Sequence, residues 1–357
     1  MSRKVLILGA GKIGGAIVDL LHASGDYDIT LADTDAAFLK QAGGKKAKTE
    51  KVDVANGKAL AKLAKGQSAV LSALPFFLNP GVAAVCAEIG AHYFDLTEDV
   101  ATTRAVRSVA KKASTAFAPQ CGLAPGFISI VANHLAKGFD TLREVHMRVG
   151  ALPQFPANGL KYNLTWSTDG LINEYCNPCE AIYEGKLLDV MPLEGLEHFS
   201  LDGIDYECFN TSGGLGTLCE SLNGKVQSLN YKTVRYPGHR DIMKLLLEDL
   251  RLRDRRDLLK DIMEKSVPIT HQDVVLIFVT VTGTKDGRLT QETYAKKIYA
   301  REIEGKLMSA IQITTAAGIC AMLDLQGDGK LPKKGFIRQE MCDLDAFLAN
   351  RFGKYYA

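Results

Sequence analysis

The sequence predicts an α/β protein: a doubly wound parallel sheet, interrupted by an inserted α+β domain whose sheet is mostly antiparallel. Three observations carry this reading. Short β-rich runs alternate strictly with helix-like stretches up to Gly126, the pattern of a parallel sheet with helices on both faces. Beyond Gly126 longer strand-like runs take over. The chain has 357 residues, enough for about two domains at roughly 150 residues each.

The first strands are expected at 4–8, 28–32, 51–54, 68–73, 92–96 and 115–119. They are short and mostly apolar, as strands buried on both faces are. Helices are expected between them at 14–23, 57–64, 80–89 and 101–112. Residues 127–136 then read as a helix, followed by strands at 143–149, 160–166, 225–231 and 273–282. The last runs through Gly283-Thr284-Lys285-Asp286-Gly287, a turn signal, into a second run at 291–301, which makes a hairpin. Between 240 and 265, charges of both signs accompany Ile242, Leu246, Leu250, Leu258 and Ile262, spaced as the apolar stripe of helices with a solvated opposite face. Further helices at 306–323 and 343–352 are expected to pack back on the first domain. The division is therefore 1–126 with 306–357 for the parallel-sheet domain, and 127–305 for the inserted substrate domain. A homodimer is expected, paired through the apolar hairpin around 274–281.

Composition narrows the function classes. Hydrophobic residues make up 46% and charged residues 24%, values of a soluble globular protein rather than a disordered or fibrous one. Lys+Arg 43 against Asp+Glu 41 leaves +2, no net field for nucleic acid or an anionic membrane. No apolar run approaches the roughly 20 residues that span a bilayer, and glycines interrupt the first one before a signal-peptide core is complete. A cytoplasmic location is expected, and the eight sparse cysteines read as thiols. No metal is expected: Cys176-Asn177-Pro178-Cys179 lacks a second cysteine pair, and 324–335 lacks the carboxylates a calcium loop needs.

The chemistry starts at Gly9-Ala10-Gly11-Lys12-Ile13-Gly14, directly after a strand and before a helix, the context of a dinucleotide fingerprint. Gly9 allows the tight turn, Gly11 lets a pyrophosphate approach the backbone, and Gly14 lets helix and strand pack closely. This makes the first domain Rossmann-type. Asp33 ends the second strand at the spacing of an acid that accepts from an adenosine ribose, and with Thr34 it favours NAD over NADP, because a carboxylate repels a 2′-phosphate. Asp53, at the end of the third strand, is placed near the adenine or in a loop cap. Ala73, Leu74 and Pro75 after the fourth strand, and Thr97, Glu98 and Asp99 after the fifth, lie at carboxyl ends of parallel strands and should flank the nicotinamide. Cys121, in Gln120-Cys121-Gly122-Leu123-Ala124-Pro125-Gly126, reads as part of a hinge turn lining the cofactor cleft, with a thiol nucleophile as the competing reading.

The inserted domain must supply the substrate site. Tyr162, Trp166, Asp169, Glu174, Tyr175, Arg235 and His239 are its notable polar and aromatic residues. Arg235 is the candidate clamp for a carboxylate. Glu98, Asp99, Asp169, Glu174 and His239 are candidates for moving a proton.

The whole chain resembles the saccharopine dehydrogenase family in its short, lysine 6-dehydrogenase-like form. The resemblance rests on Val5-Leu6-Ile7-Leu8-Gly9-Ala10-Gly11 with Gly14, on Cys121-Gly122-Leu123-Ala124-Pro125-Gly126, on Thr165-Trp166-Ser167-Thr168-Asp169-Gly170-Leu171-Ile172 running on to Glu174-Tyr175 and Pro178, and on Arg235-Tyr236-Pro237-Gly238-His239. It implies a nicotinamide-dependent oxidoreductase acting on a carbon–nitrogen bond of lysine or a lysine conjugate, giving an imine that hydrolyses to a semialdehyde. Reduction of an imine, to saccharopine or a carboxynorspermidine-type product, is the same chemistry in reverse. A nucleotide-binding regulator without turnover is the alternative from a different class.

Overall fold

The computed structural model describes residues 2–357. They form two compact units: the chain up to Phe127 with Glu304–Lys306 and Gln312–Ala357, and Ile128–Ile303 with Leu307–Ile311.

The first unit alternates β1 (Arg3–Leu8), α1 (Lys12–Ser24), β2 (Tyr27–Asp33), α2 (Ala36–Gly43), β3 (Lys48–Lys51), α3 (Gly57–Ala64), β4 (Ala69–Ser72), α4 (Asn79–Ile89), β5 (His92–Asp95), α5 (Val100–Ala110) and β6 (Ala116–Ala118). The strands pair in parallel in the order β6-β5-β4-β1-β2-β3, and the two-residue strand Gly335–Phe336 adds to β6 at the edge. Leu6, Leu8, Val70, Tyr93 and Phe117 pack on Val82 and Val106 in the core beneath the helices. Strand order reverses between β1 and β4, and ligands of open α/β sheets bind outside the carboxyl ends at such a point.

Two elements here differ from expectation. Of the expected strand 51–54 only Lys51 is in β3; residues 52–54 are the loop after it, where Val52 and Val54 pack on the core without a strand. The strand itself, Lys-Thr-Glu-Lys, is a polar, mostly exposed edge with no apolar signal. The sequence pattern also missed α2, which buries only Leu39 and Gly43 and is set by its cap: Asp35 accepts from Ala37 N and Phe38 N.

In the second unit, β7 (Thr141–Pro153), β8 (Cys179–Tyr183), β9 (Lys186–Val190), β10 (Glu197–Leu201), β11 (Ile204–Asn210), β12 (Ser228–Arg235), β13 (Asp273–Lys285) and β14 (Arg288–Tyr299) build one sheet in the order β10-β11-β12-β7-β13-β14, with β8 joining β12 to β9. Among the described residues of this sheet β12 and β7 pair in parallel and the other neighbours are antiparallel. The β13–β14 hairpin closes at Asp286-Gly287, both at positive φ, which suits the twist of a two-residue turn.

The strand expected at 160–166 is absent. That stretch is irregular, and its apolar residues Tyr162 and Leu164 enter a core with Leu171, Tyr175, Phe209, Met243, Leu259 and Met263 instead. The expected stripe between 240 and 265 is also displaced. Met243, Leu247, Leu259 and Met263 are buried, whereas Leu250, Leu258 and Ile262 are exposed. A π-turn at Leu245–Asp249 and a positive φ at Arg251 break the 3.6-residue register on which that stripe depends. Among the described residues, no helix is long and apolar enough to cross a membrane.

Candidate active site

At the end of β1, Gly9 turns the chain at φ +94°, so tightly that a Cβ there would meet Ala73 O at 2.7 Å. A Cβ on Gly14 would meet Gly9 O at 1.8 Å, so helix and turn can pack this closely only without a side chain. On Gly11 a Cβ would meet nothing within 4 Å, and that exposed backbone is open to a ligand. The first turn of α1 carries no side-chain cap and no acid. Its N–H groups and the positive end of the helix dipole are thus left for an anion. Lys12, exposed in that turn, stands where the dipole favours negative charge, and Ile13 is half-buried behind it.

Asp33 closes β2 and faces this turn: Oδ2 accepts from Ala10 N at 2.6 Å and Oδ1 from Asp35 N at 2.9 Å, with the Thr34 hydroxyl at 3.4 Å. Asp35 caps α2. Two carboxylates therefore stand at the carboxyl end of β2. Asp53 is exposed and caps its own turn through Ala55 N at 2.9 Å, the loop-cap reading of the two considered.

The loops after β4, β5 and β6 are organised from below. Ala73 N bonds Leu8 O, and Leu74 and Pro75 lead into the turn Phe76–Leu78, where Phe77 is exposed. Asp95, at the end of β5, is fully buried and accepts from the Tyr93 hydroxyl at 2.7 Å and from Thr97 N and Gln120 N at 2.9 Å. Its backbone oxygen accepts from Cys121 N. Gln120, tied down this way, is held at φ +66°. Burial lifts the Asp95 carboxyl to about 6, against the pull of those three hydrogen bonds. Sequence reasoning passed over Asp95, whose one signal is an acid at the end of an apolar strand. On the loop it holds, Thr97 accepts from Asp99 N, Asp99 caps α5 through Thr102 N at 2.7 Å, and Glu98 is half-buried. Cys121 is buried with its Sγ 3.0 Å from Ala118 O and 3.3 Å from Gln339 Nε2. Burial pushes that thiol far above its ordinary pKa, which removes the thiolate a nucleophile needs.

In the second unit Arg235, 3% exposed at the end of β12, anchors a buried relay. Its Nε donates to the Tyr175 hydroxyl at 2.9 Å, and Tyr175 meets His239 Nε2 at 3.0 Å. His239 Nδ1 lies 2.8 Å from Leu160 O. A carbonyl only accepts, so Nδ1 carries the hydrogen and Nε2 accepts from Tyr175. The guanidinium also donates to Val234 O at 2.8 Å and sits 4.9 Å from the Tyr162 ring centroid. Burial acts to lower its pKa, but Tyr175, Tyr162 and Glu174 together outweigh this and hold the charge. The Tyr162 phenol, raised by burial, is drawn the other way by Arg235, by Trp166 Nε1 donating at 3.1 Å, and by Thr165. Buried Glu174 and Tyr175 come from one helix, α6 (Thr168–Cys176), capped by Ser167.

The structure thus gathers Tyr162, Trp166, Glu174, Tyr175, Arg235 and His239 into one cluster. Two proton carriers singled out from the sequence take other parts. His239 is 1% exposed, and burial together with Arg235 pushes it down to about 3, so it stays neutral near pH 7 and orients Tyr175. Asp169 stands apart from this relay, half-buried and paired with Lys260 at 2.7 Å. All eight cysteines are buried free thiols, and no metal-binding group of His, Cys, Asp and Glu occurs among the described residues.

Sheet order, glycine turn and the acid of β2 define a dinucleotide-binding protein with an appended α+β unit. More particularly, the chain belongs to the saccharopine dehydrogenase family. The profile described as the saccharopine dehydrogenase NADP binding domain matches residues 5–118, and that of the saccharopine dehydrogenase C-terminal domain matches 122–354. The chain is 28% identical over 200 residues to the mitochondrial alpha-aminoadipic semialdehyde synthase of Mus musculus, covering 53% of this chain and 21% of that one. It is 25% identical over 275 residues to the NADP(+), L-glutamate-forming saccharopine dehydrogenase of Saccharomyces cerevisiae, covering 71% and 59%. It therefore spans less than two thirds of the length of these curated relatives. Apo saccharopine dehydrogenase (L-Glu forming) from Saccharomyces cerevisiae superimposes with a TM-score of 0.78 at 17% identity, over 97% of this chain and 96% of that one, a likeness of fold.

Proposed function

We propose that the protein is an NAD-dependent dehydrogenase that oxidises a carbon–nitrogen bond of lysine or a lysine conjugate such as saccharopine. The observation that carries this is that one chain holds both an open glycine turn beside Asp33 and a buried, charged Arg235 in the family's C-terminal region. The first supports a nicotinamide dinucleotide. The second supports an amino-acid carboxylate, the group a guanidinium fork recognises.

Gly9, Gly11, Gly14 and the first turn of α1 would hold the pyrophosphate, and Asp33 the adenosine ribose. The matching profile and the yeast relative are both named for NADP. Here the negative charge of Asp33 and the capping of α2 by Asp35 both oppose a 2′-phosphate, which supports NAD. When bound, the nicotinamide supplies the hydride acceptor. The chain's own task is to keep the substrate nitrogen neutral, since an ammonium has no lone pair to form the C=N bond as hydride leaves. For the proton carrier we propose Glu98, half-buried on the loop after β5, at the carboxyl end of a parallel strand where such sheets take their ligands. Water then adds to the imine carbon, the C–N bond breaks, and the nitrogen leaves as ammonia or as the amine of the conjugate, giving a semialdehyde.

The test is optical: NAD or NADP is mixed with lysine, saccharopine or a diamine, and cofactor reduction is followed. Reduction of NAD by lysine or saccharopine is the expected result and identifies the branch. Reduction of NADP in preference to NAD would overturn the cofactor assignment, and tight NAD binding without turnover would favour a regulator. Glu98→Gln should lower kcat at least about a hundredfold while NAD binding is retained, the usual scale for a lost general base.

A further inference from the structure

The segment expected from the sequence to pair two copies, 274–281, lies in β13 and has no edge to offer: β7 pairs with it on one side and β14 on the other. The edge belongs to β14, which ends the sheet order and, among the described residues, pairs with no strand but β13. A regular edge strand of 12 residues presents a long row of backbone donors and acceptors, and native proteins blunt or cover such rows. Lys296 and Lys297 stand on this one, which deters any strand that brings no acid opposite them.

The phase of the hairpin fixes which groups point outward. Lys285 and Arg288 flank the two-residue turn and exchange both of their backbone bonds, and the pattern alternates from there. The even-numbered residues of β14 therefore bond to β13. The N–H and C=O groups of Leu289, Gln291 and every second residue up to Tyr299 face away from it. Leu289 and Tyr299, at opposite ends of this row, are 69% and 49% exposed. Glu292, Tyr294 and Lys296 share the other face of the strand, where Glu292 is partly exposed and accepts from Lys285 Nζ at 2.5 Å.

We propose that a second copy of this chain pairs with β14 along this edge, strand against antiparallel strand, about a two-fold axis at Tyr294. Two-fold symmetry matches residue i with j and j with i, and outward groups bond only to outward groups. Of the registers this allows, the one centred on Tyr294 engages the whole row from Leu289 to Tyr299. It sets Glu292 of each copy opposite Lys296 of the other, at the non-hydrogen-bonded positions where side chains lie closest, and Leu289 opposite Tyr299. The neighbouring registers, centred on Thr293 or Ala295, turn Glu292 toward Tyr294 or Ile298 and leave Lys296 facing no acid. Length and charge thus select the same pairing, and an edge that repels other strands accepts its own copy.

The experiment measures the dissociation constant of the full chain by sedimentation. The parent should sediment as a dimer at micromolar concentration. Glu292→Lys and Lys296→Glu each set like charges opposite one another at both symmetric contacts, and each should weaken the dimer at least about tenfold. An equimolar mixture of the two variants sets opposite charges together again and should recover the parent's affinity, which also shows that both variants fold. Tyr294→Cys places its thiols on the axis, at a Cα separation of about 4.5 Å that a disulfide spans, so mild oxidation should link the two copies. Thr290→Cys, set opposite Ile298, should not link. A monomeric parent, single variants that associate as tightly as the parent, a mixture no tighter than its components, or linkage through Thr290→Cys as efficient as through Tyr294→Cys would overturn the proposal. None of these readouts involves turnover, so the result is independent of the dehydrogenase reading.

Discussion

A single methyl group on Gly14 would lie 1.8 Å from Gly9 O, backbone against backbone. Gly14→Ala must therefore displace the turn that faces the cofactor. NAD affinity should fall at least about tenfold, with a lower Tm, by calorimetric titration and thermal unfolding. His239 gives a pH prediction. Its folded pKa of about 3 lies below the ordinary 6.5, so its stabilisation is present above pH 6.5 and lost as pH falls toward 3. At pH 5 that loss is about 2 kcal/mol, from 1.36 kcal/mol per pH unit. Denaturant unfolding of His239→Asn beside the parent at pH 5 and pH 7.5 should show the difference between them shrink at the lower pH. Asp95 has the opposite sign: its pKa is raised to about 6, so its stabilisation is present below the ordinary carboxylate value and lost as pH rises through 6. The glycine turn was legible because it needs a residue type that sequence records. Asp95 was not, because its meaning lies in what surrounds it after folding.

Elements were legible where burial and periodicity agree. Strands β1, β2 and β4–β6, apolar at their centres, were found to within a few residues, whereas the polar edge β3 and the two-residue strand Gly335–Phe336 carry no such signal. Between 240 and 265 periodicity alone misled, because a π-turn resets the register. Alanine scanning reads this directly. Met263→Ala and Leu259→Ala remove buried side chains and should cost about 2–5 kcal/mol, whereas Leu258→Ala, at an exposed position, should stay within about 0.5 kcal/mol. Equal losses at Leu258 and Leu259 would restore the stripe expected from sequence.

On the scale of the molecule, alternation of strand and helix, and its end at Gly126, were enough to anticipate two kinds of sheet. What no local pattern shows is how the later chain is used. Gln312–Ala357 belongs to the first unit, where Arg351 and Asn350 hold Asp324, and Asp324 accepts from Tyr27. Removing residues 304–357 should therefore abolish NAD binding, although every residue of the glycine turn is retained. Retained binding in that truncated chain, measured by fluorescence titration, would show that the β1–β6 sheet stands alone.

The pairing of Gly335–Phe336 with β6 sets an order of events during synthesis. Gln339 Nε2 donates to Pro119 O across 220 positions of sequence. A ribosome therefore delivers the edge of β6 long before its partner, and the exposed strand must wait, open to pairing with other chains, while the whole intervening unit is made. The nucleotide-binding half begins first and finishes last.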